Sequence, residues 1–347
     1  MDGMPFWPYA FPVSRGTTMK TFALTAALAT ALTAGTARAA DTINCVFPFW
    51  FGFAPVFVAE KNGYFAEEDV TVTWAFDNDR ANVLPGLETG SIDCTMRTIG
   101  ESMASPRTPE TTGTIIGTID ISIGADGVVA GPGIETVADL VGKTFAGEIN
   151  HPGTVLTQYA LNEIGKSVKD LDIKLINTDD SIAVFEDDSI AAVATWEPML
   201  SQIVKNTSRE GSKVLLHSGD YEGLITDIIL VRTDDYQANP EKYAKFLRGI
   251  YRAIDDYVED PDAFIALSAG EFGVPEAEMK EALAGVKYTT YEETLDYMPL
   301  SGDGKLKEVF DAFNDINLSL DLQEAALPYA PYIDGSLLPD LFEGKTR

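Results

Sequence analysis

The apolar positions of the chain form short runs of strand length that alternate with helical patterns. In the first part, predicted strands cover residues 43–47, 70–76, 92–96, 114–119 and 127–130, and predicted helices cover 53–64 and 80–89. This β-α-β rhythm with short loops predicts a mostly parallel, doubly wound α/β sheet.

A second series of the same kind follows the Gly-Pro-Gly sequence at 131–133. Its predicted strands are 143–147, 171–176, 191–195 and 213–217, and its predicted helices are 137–140, 153–165, 181–186 and 198–205. A strong strand at 226–232 and a mainly helical segment from 240 onward complete the chain. We therefore expect a first lobe of residues 40–130 plus 226–347 and an inserted second lobe of 131–225, with two crossings near Asp126 and Asp227.

The N-terminus has the features of a secretory signal peptide. Met19-Lys20 begins a short basic segment, residues 22–32 are apolar, and Ala37-Arg38-Ala39 fits a signal-peptidase site. Residues 1–39 are thus predicted to be removed on export to the periplasm. Residues 1–18 fit no part of such a signal, which leaves open whether Met1 or Met19 starts translation.

The composition is that of a soluble globular protein with about two domains. Hydrophobic residues make up 45% and charged residues 23% of the 347 positions. The net charge of −29 disfavours nucleic acid and anionic membranes as partners, because both repel an acidic surface. The acidic surface is typical of a soluble protein, and the total charge does not predict the charge of a binding pocket.

The residues expected of an enzyme or a metalloprotein are scarce. His151 and His217 are the only two histidines, and none of the common nucleophile, metalloprotease or dinucleotide-binding motifs occurs. The segment 160–167 resembles a phosphate-binding loop but lacks its first glycine and ends a helix. We therefore expect no catalysis, no cofactor and no metal.

Two cysteines, Cys45 and Cys94, lie in predicted strands. An oxidising compartment permits a disulfide between them. The geometry of neighbouring strands rarely suits a disulfide, so two separate buried thiols are the favoured interpretation.

Seven short motifs, spread in order over nearly the whole predicted mature chain, are similar to those of the nitrate/taurine-type solute-binding proteins. They are FWFGFAP at 49–55, AEKNGYF at 59–65, LETGSID at 87–93, GADGVVA at 124–130, DLVGK at 139–143, TWEP at 195–198 and IILVR at 228–232. That family includes proteins that bind taurine, aliphatic sulfonates, nitrate and thiamine precursors. The resemblance implies a class-II periplasmic binding fold, two lobes joined by two crossings, and transfer of a solute to the membrane permease of an ABC importer.

Ligands of open α/β sheets bind beyond the carboxyl ends of the strands, in the crevice between two halves. The residues that this rule places in one cleft are Phe49, Trp50, Phe51, Arg97, Thr98, Asp126, Thr154, Trp196, Glu197 and Asp227.

Several of these residues also have a purely structural interpretation. Arg97 can pair with Glu101 on the following helix. Asp126 and Asp227 can bond backbone amides at hinges. Glu197 can cap the helix that starts at Pro198, and the helix start near Thr154 offers free amides as any helix does.

The candidate residues form two chemical poles. Asp126, Glu197 and Asp227 beside aromatic rings suit an ammonium group. Arg97, Thr98 and the amides near Thr154 suit a sulfonate or carboxylate. The interpretation is a monomeric binding protein for taurine or a related amino-sulfonate.

Other ligands and classes stay open from the sequence alone. A quaternary ammonium solute or a pyrimidine-like amine stacked on Trp50 are alternatives for the same site. A pyrimidine-forming biosynthetic enzyme and a sensor-associated binding protein are alternatives of other classes.

Overall fold

The structure is a computed structural model that describes residues 41–103, 113–345 and 347. The predicted signal peptide and the two candidate start codons lie outside the described residues. Within the described ranges, no helix combines the length and the apolar character needed to cross a bilayer.

Eleven strands in the described part of the chain build two sheets. They are Asp41–Phe47 (β1), Val70–Phe76 (β2), Cys94–Thr98 (β3), Thr114–Ser122 (β4), Asp126–Ala130 (β5), Thr144–Ala146 (β6), Asp172–Lys174 (β7), Ala192–Trp196 (β8), Lys213–His217 (β9), Thr226–Val231 (β10) and Val286–Tyr288 (β11). The first sheet has the order β11-β4-β10-β3-β1-β2 and the second has the order β7-β6-β8-β5-β9.

Helices cover both sheets. They are Pro55–Lys61 (α1), Tyr64–Glu67 (α2), Arg80–Thr89 (α3), Ile99–Met103 (α4), Pro152–Glu163 (α5), Ser181–Phe185 (α6), Met199–Asn206 (α7), Thr233–Ala238 (α8), Pro240–Glu259 (α9), Pro261–Phe272 (α10), Glu276–Leu283 (α11), Tyr291–Tyr297 (α12) and Lys305–Ser319 (α13). The helix predicted at 53–64 is divided into α1 and α2, because Gly63 adopts a left-handed conformation with φ of 78°.

The chain passes from the first sheet to the second after β4 and returns with β10. Strand β10 runs antiparallel between β3 and β4, and β5 runs antiparallel between β8 and β9. The expectation of mostly parallel sheets is therefore wrong, and both sheets are mixed. The reason is that β5 and β10 enter directly from the other sheet, and no helical crossover forces them to be parallel.

Strand β5 belongs to the second sheet, although the predicted first lobe extends to residue 130. The Gly-Pro-Gly sequence at 131–133 forms the turn that follows β5, with Gly133 at φ of 84°. Sheet membership thus favours a first crossing at 123–125, ahead of the predicted boundary.

Cys45 and Cys94 lie opposite each other on the parallel strands β1 and β3. Both are buried free thiols, as the sequence favoured. They are part of a buried apolar cluster that includes residues of both sheets.

Candidate ligand-binding site

A small cavity lies between the two sheets, where the ends of several strands meet. It is lined by Pro48, Trp50, Phe53, Thr98, Glu101, Asp126, Pro152, Trp196 and Asp227. The space for water centres is about 20 Å³, which corresponds to roughly one water molecule. A solute of several heavy atoms therefore fits only if the walls of the cavity separate.

Two carboxyl groups meet on the first-sheet side of the cavity. Asp227 on β10 lies directly opposite Asp120 on β4, and their carboxyls are in hydrogen-bonding contact. The indole Nε1 of Trp50 donates to both carboxyl oxygens of Asp120, at 3.2 and 3.3 Å. Asp120 thus links the aromatic wall to the cavity-lining carboxyl of Asp227.

A third carboxyl, that of Asp126, faces them from the second sheet. Asp126 lies opposite Trp196 in the β5–β8 register, and its backbone N–H donates to Ser122 Oγ at 3.1 Å. Burial raises the pKa of Asp126 to about 8, and a hydrogen bond from Ser122 opposes this shift. The negative charge of nearby Glu101 raises that pKa further.

Burial raises the pKa of Asp120 to about 7, against the lowering effect of its bonds to Trp50 and Asp227. Burial, followed by repulsion from Asp120 and Asp126, raises the pKa of Asp227 well above its usual range. Among the described residues, no Lys or Arg forms an ion pair with these three carboxyls. In the same ranges, no group of three or more His, Cys, Asp or Glu side chains is arranged to hold a metal ion.

The loop after β1 brings Trp50 to Asp120 because residue 52 is glycine. A Cβ atom at Gly52 would lie 2.2 Å from both Asp120 Oδ2 and Trp50 Nε1. The loop is also held by the hydroxyl of Tyr288, which donates to the carbonyl of Phe51 at 2.8 Å. The FWFGF sequence is therefore shaped around a carboxyl that lies 67 to 71 residues further along the chain.

Thr98 and Glu101 form a reciprocal cap at the junction of β3 and α4. The backbone N–H and hydroxyl of Thr98 donate to Glu101 Oε2 at 3.1 and 3.2 Å, and Glu101 N–H donates to Thr98 Oγ1 at 3.1 Å. This cap holds the Glu101 carboxyl at the cavity wall, and sequence reasoning had assigned Glu101 only as a possible partner of Arg97.

The second-sheet wall contains two buried donors. The ring of His151 stacks flat on Trp196, with centroids 4.7 Å apart, and His151 Nδ1 caps α5 by accepting from Gly153 N–H at 3.0 Å. Trp196 Nε1 and Thr154 Oγ1 are buried, and neither has a hydrogen-bond partner among the described residues. Trp196 lines the cavity, so its Nε1 is near an acceptor bound there, and Thr154 lies behind it at the start of α5.

Five of the ten predicted site residues line this cavity: Trp50, Thr98, Asp126, Trp196 and Asp227. Thr154 is buried at the start of α5 without lining it. Phe49 and Phe51 pack instead on Phe272, with ring centroids 5.2 and 4.9 Å apart.

Arg97 is not brought to the cavity. Successive side chains of a strand point to opposite faces, so Arg97 lies on the face of β3 opposite to Thr98. Its Nε donates to Thr95 Oγ1, two residues back on the same strand, at 3.5 Å. The basic group predicted for an anionic pole is therefore absent from the described cavity wall.

Glu197 lies beside the cavity and caps a helix. Its carboxylate accepts from Ser201 N–H at 3.1 Å and from Ser201 Oγ at 2.6 Å, across the first turn of α7. The structural interpretation of Glu197 therefore describes its contacts better than the ligand-binding one.

Replacing Glu197 by Gln is accordingly expected to lower the free energy of unfolding by about 0.5–2 kcal/mol, as for the loss of a helix cap, and to leave solute affinity within about twofold. Thermal unfolding and calorimetric titration of the variant check these two expectations. A loss of affinity beyond tenfold with unchanged stability would instead place Glu197 in the binding site.

Asp120 is a site residue that sequence reasoning missed. The predicted strand ended at residue 119, and the strand β4 continues to Ser122 with all nine residues buried. A carboxyl directly after a predicted strand satisfies the rule that selected the other candidates, so the signal was present in the sequence.

Comparison with solved structures identifies the fold. The alkanesulfonate-binding protein SsuA from Xanthomonas axonopodis pv. citri, bound to MOPS, matches with a TM-score of 0.66 and 18% identity, over 86% of this chain and 99% of that one. The two mixed sheets and two crossings are those of the class-II periplasmic binding proteins. The chain belongs to the NMT1/THI5-like family, whose model matches residues 50–264.

The curated relatives share a low sequence identity with this chain. The taurine-binding periplasmic protein of Escherichia coli (strain K12) is 24% identical over 269 residues, 73% of this chain and 81% of the relative. A protein of Brucella abortus (strain 2308), described as a binding protein, is 22% identical over 206 residues, 57% of this chain. The chain spans 63% of the length of that relative, less than two thirds.

Proposed function

We propose that this protein is the periplasmic solute-binding component of an ABC importer, and that it captures a small amine-bearing solute, with taurine or a related amino-sulfonate as the best candidate. The observation that carries the proposal is the small cavity between the two sheets, where Asp126 and Asp227 face Trp50 and Trp196. The protein binds its solute unchanged and passes it to a membrane permease.

The carboxyls supply the part of the site that recognises the amine. Buried carboxylates are costly without a counter-ion, and the described residues around Asp126 and Asp227 provide no Lys or Arg to pair with them. An ammonium group provides both the positive charge and the N–H donors that these oxygens lack. The indole rings add cation–π attraction.

A sulfonate at the other end of the solute has donors on the second-sheet wall. Trp196 Nε1 and Thr154 Oγ1 are buried without partners, and the N-terminal amides of the 12-residue helix α5 carry a partial positive charge. These groups take the role that the sequence analysis gave to Arg97. The names of the relatives, which bind taurine and alkanesulfonates, support this assignment.

A simple cationic or quaternary ammonium solute is the second candidate. The observation that favours it is the cavity wall itself, where Asp126, Asp227 and Glu101 are the ionisable residues and no basic side chain is present among the described residues. A solute without an anionic group satisfies such a wall.

A thermal-shift screen of the exported protein separates these candidates, because a ligand that binds only the folded state raises the melting temperature. Taurine carries both charges, ethylamine and choline carry only the positive one, and ethanesulfonate and nitrate carry only the negative one. At about 100 times its Kd, a ligand stabilises by about 2.7 kcal/mol, which corresponds to a shift of about 5 °C or more.

We expect the largest shift with taurine and none with ethanesulfonate or nitrate. Choline above taurine would favour the second candidate. Shifts with the anions alone would overturn the amine assignment, and any ligand-derived product above a heat-killed control would overturn binding without turnover.

A further inference from the structure

Asp120 does not line the cavity, yet it contacts two residues that do. It is completely buried, its carboxyl touches that of Asp227, and it accepts from Trp50 Nε1. On the neighbouring strands, Asp227 of β10 and Tyr288 of β11 lie opposite Asp120, and neither provides a positive charge for its carboxyl.

Two carboxyl groups in contact inside a protein do not both ionise, because the like charges repel at short range and neither is hydrated. A single proton between them removes the repulsion and makes one carboxyl the donor to the other. Trp50 Nε1 then donates to the remaining charge on Asp120. In the structure the two residues lie directly opposite each other in the β4–β10 register.

The described groups that face the pair do not supply a positive charge. They are Glu101 on α4, Asp126 on β5 and Tyr288 on β11. His151 stacks on Trp196 on the second-sheet wall, and Arg97 lies on the opposite face of β3. None of the residues in the described ranges therefore supplies a positive charge at the pair, which a ligand can supply, and the unpartnered Nε1 of Trp196 in the same cavity independently marks a place for a ligand.

We propose that Asp120 and Asp227 share one proton in the ligand-free cleft, and that an ammonium group displaces this proton into the solvent when it binds. The inference rests on the proposed function. The ammonium group keeps its own protons, the pair changes from one negative charge to two, and the buffer takes up the released proton. Asp120 acts as a positioning residue that makes binding through Asp227 specific for a cation.

Proton release is measured by titration calorimetry with taurine at pH 6.5 in three buffers with different enthalpies of ionisation. The slope of the observed enthalpy against the ionisation enthalpy gives the number of protons released. We expect at least about 0.5 for the wild type, because the proton of Asp126 adds to that of the pair, and a Kd that weakens as the pH falls below about 6.5, by at most roughly 10-fold per pH unit for each linked proton.

Asp120→Asn is expected to lower the number of protons released and to reduce the pH dependence of the Kd, and what remains comes from Asp126, which burial keeps protonated in the ligand-free cleft of both proteins. Asp303→Asn is the matched control, because Asp303 is exposed and outside the cavity wall, and it is expected to keep the wild-type values. The pH dependence of the wild type tests the inference even if Asp120→Asn does not fold.

Two outcomes would contradict the inference in different ways. Taurine or ethylamine binding with no proton release and a constant Kd between pH 5.5 and 7 overturns the shared proton and leaves the proposed function standing. No binding of either amine at any pH overturns both.

Discussion

Replacing Asp227 by Asn is expected to weaken the binding of an amine-bearing solute by about 2–5 kcal/mol, or roughly 30- to several thousand-fold in Kd. The Asn side chain keeps the shape of the carboxyl and removes the charge that pairs with the ammonium group. Because Asp227 lines the cavity and lies within the closed cleft, the lost charge pair is a dehydrated one. Titration calorimetry with taurine measures the change.

The control for this prediction is again Asp303→Asn, which removes the same charge from the exposed surface. It is expected to change the Kd by less than about twofold, since exposed charges are screened. Equal affinities of Asp227→Asn and wild-type protein for taurine would show that Asp227 does not contact the ammonium group.

The ligand-free protein is expected to lose stability as the pH rises from 5 to 8, and Asp126→Asn is expected to remove a large part of this loss. The pKa of Asp126 is about 8 in the folded protein and about 3.8 as a free side chain. Between these values the folded state retains a proton that the unfolded state releases. The loss is about 1.4 kcal/mol per pH unit for this one group, or about 4 kcal/mol from pH 5 to 8.

Denaturant unfolding of the two proteins at pH 5, 6.5 and 8 checks this sign and size. The variant is expected to become the more stable protein as the pH rises, because its amide has no charge to bury. If the stabilities of both proteins vary in parallel with pH, the Asp126 carboxyl is hydrated in the ligand-free state and its burial in the closed cleft is acquired only with a solute.

The elements of the fold could be predicted from the sequence because their signals are local. Strand β2 and helix α3 coincide with the predicted segments 70–76 and 80–89. The antiparallel direction of β5 and β10 relative to their neighbours could not be predicted in this way. It depends on the fact that the chain enters both strands from the other sheet. The pattern of apolar residues predicts where a strand lies in the chain, but it does not predict which strand pairs with it in the sheet.

The candidate site was predictable where a single residue stands at the end of a strand. Trp50, Thr98 and Trp196 were selected because they follow predicted strands, Asp126 and Asp227 because they mark the predicted crossings, and all five line the cavity.

Position at the end of a strand was not sufficient where the role of a side chain depends on the face of the strand it occupies or on a hydrogen bond to a nearby residue. Arg97 and Thr98 are adjacent in sequence, and the alternation along β3 sends only one of them to the cleft. Glu197 has a donor four residues away in Ser201, and this local bond holds its carboxylate.

The described cavity wall has no basic side chain, and this changes how the anionic end of the solute is expected to bind. The sulfonate of taurine would be held by neutral donors and by the partial charge of α5, which recognise an anion without a full countercharge. We infer that the ammonium end contributes most of the discrimination between solutes.

The most direct test of the account is a crystal structure of the exported protein grown with taurine, or with the amine that gives the largest thermal shift. We predict a solute between the two sheets, with its nitrogen within 3.2 Å of carboxyl oxygens of Asp126 and Asp227, a distance typical of charged hydrogen bonds, and with any sulfonate near Trp196 Nε1 and the start of α5. A solute outside this cleft, or one whose anionic group faces the two carboxyls, would contradict the account.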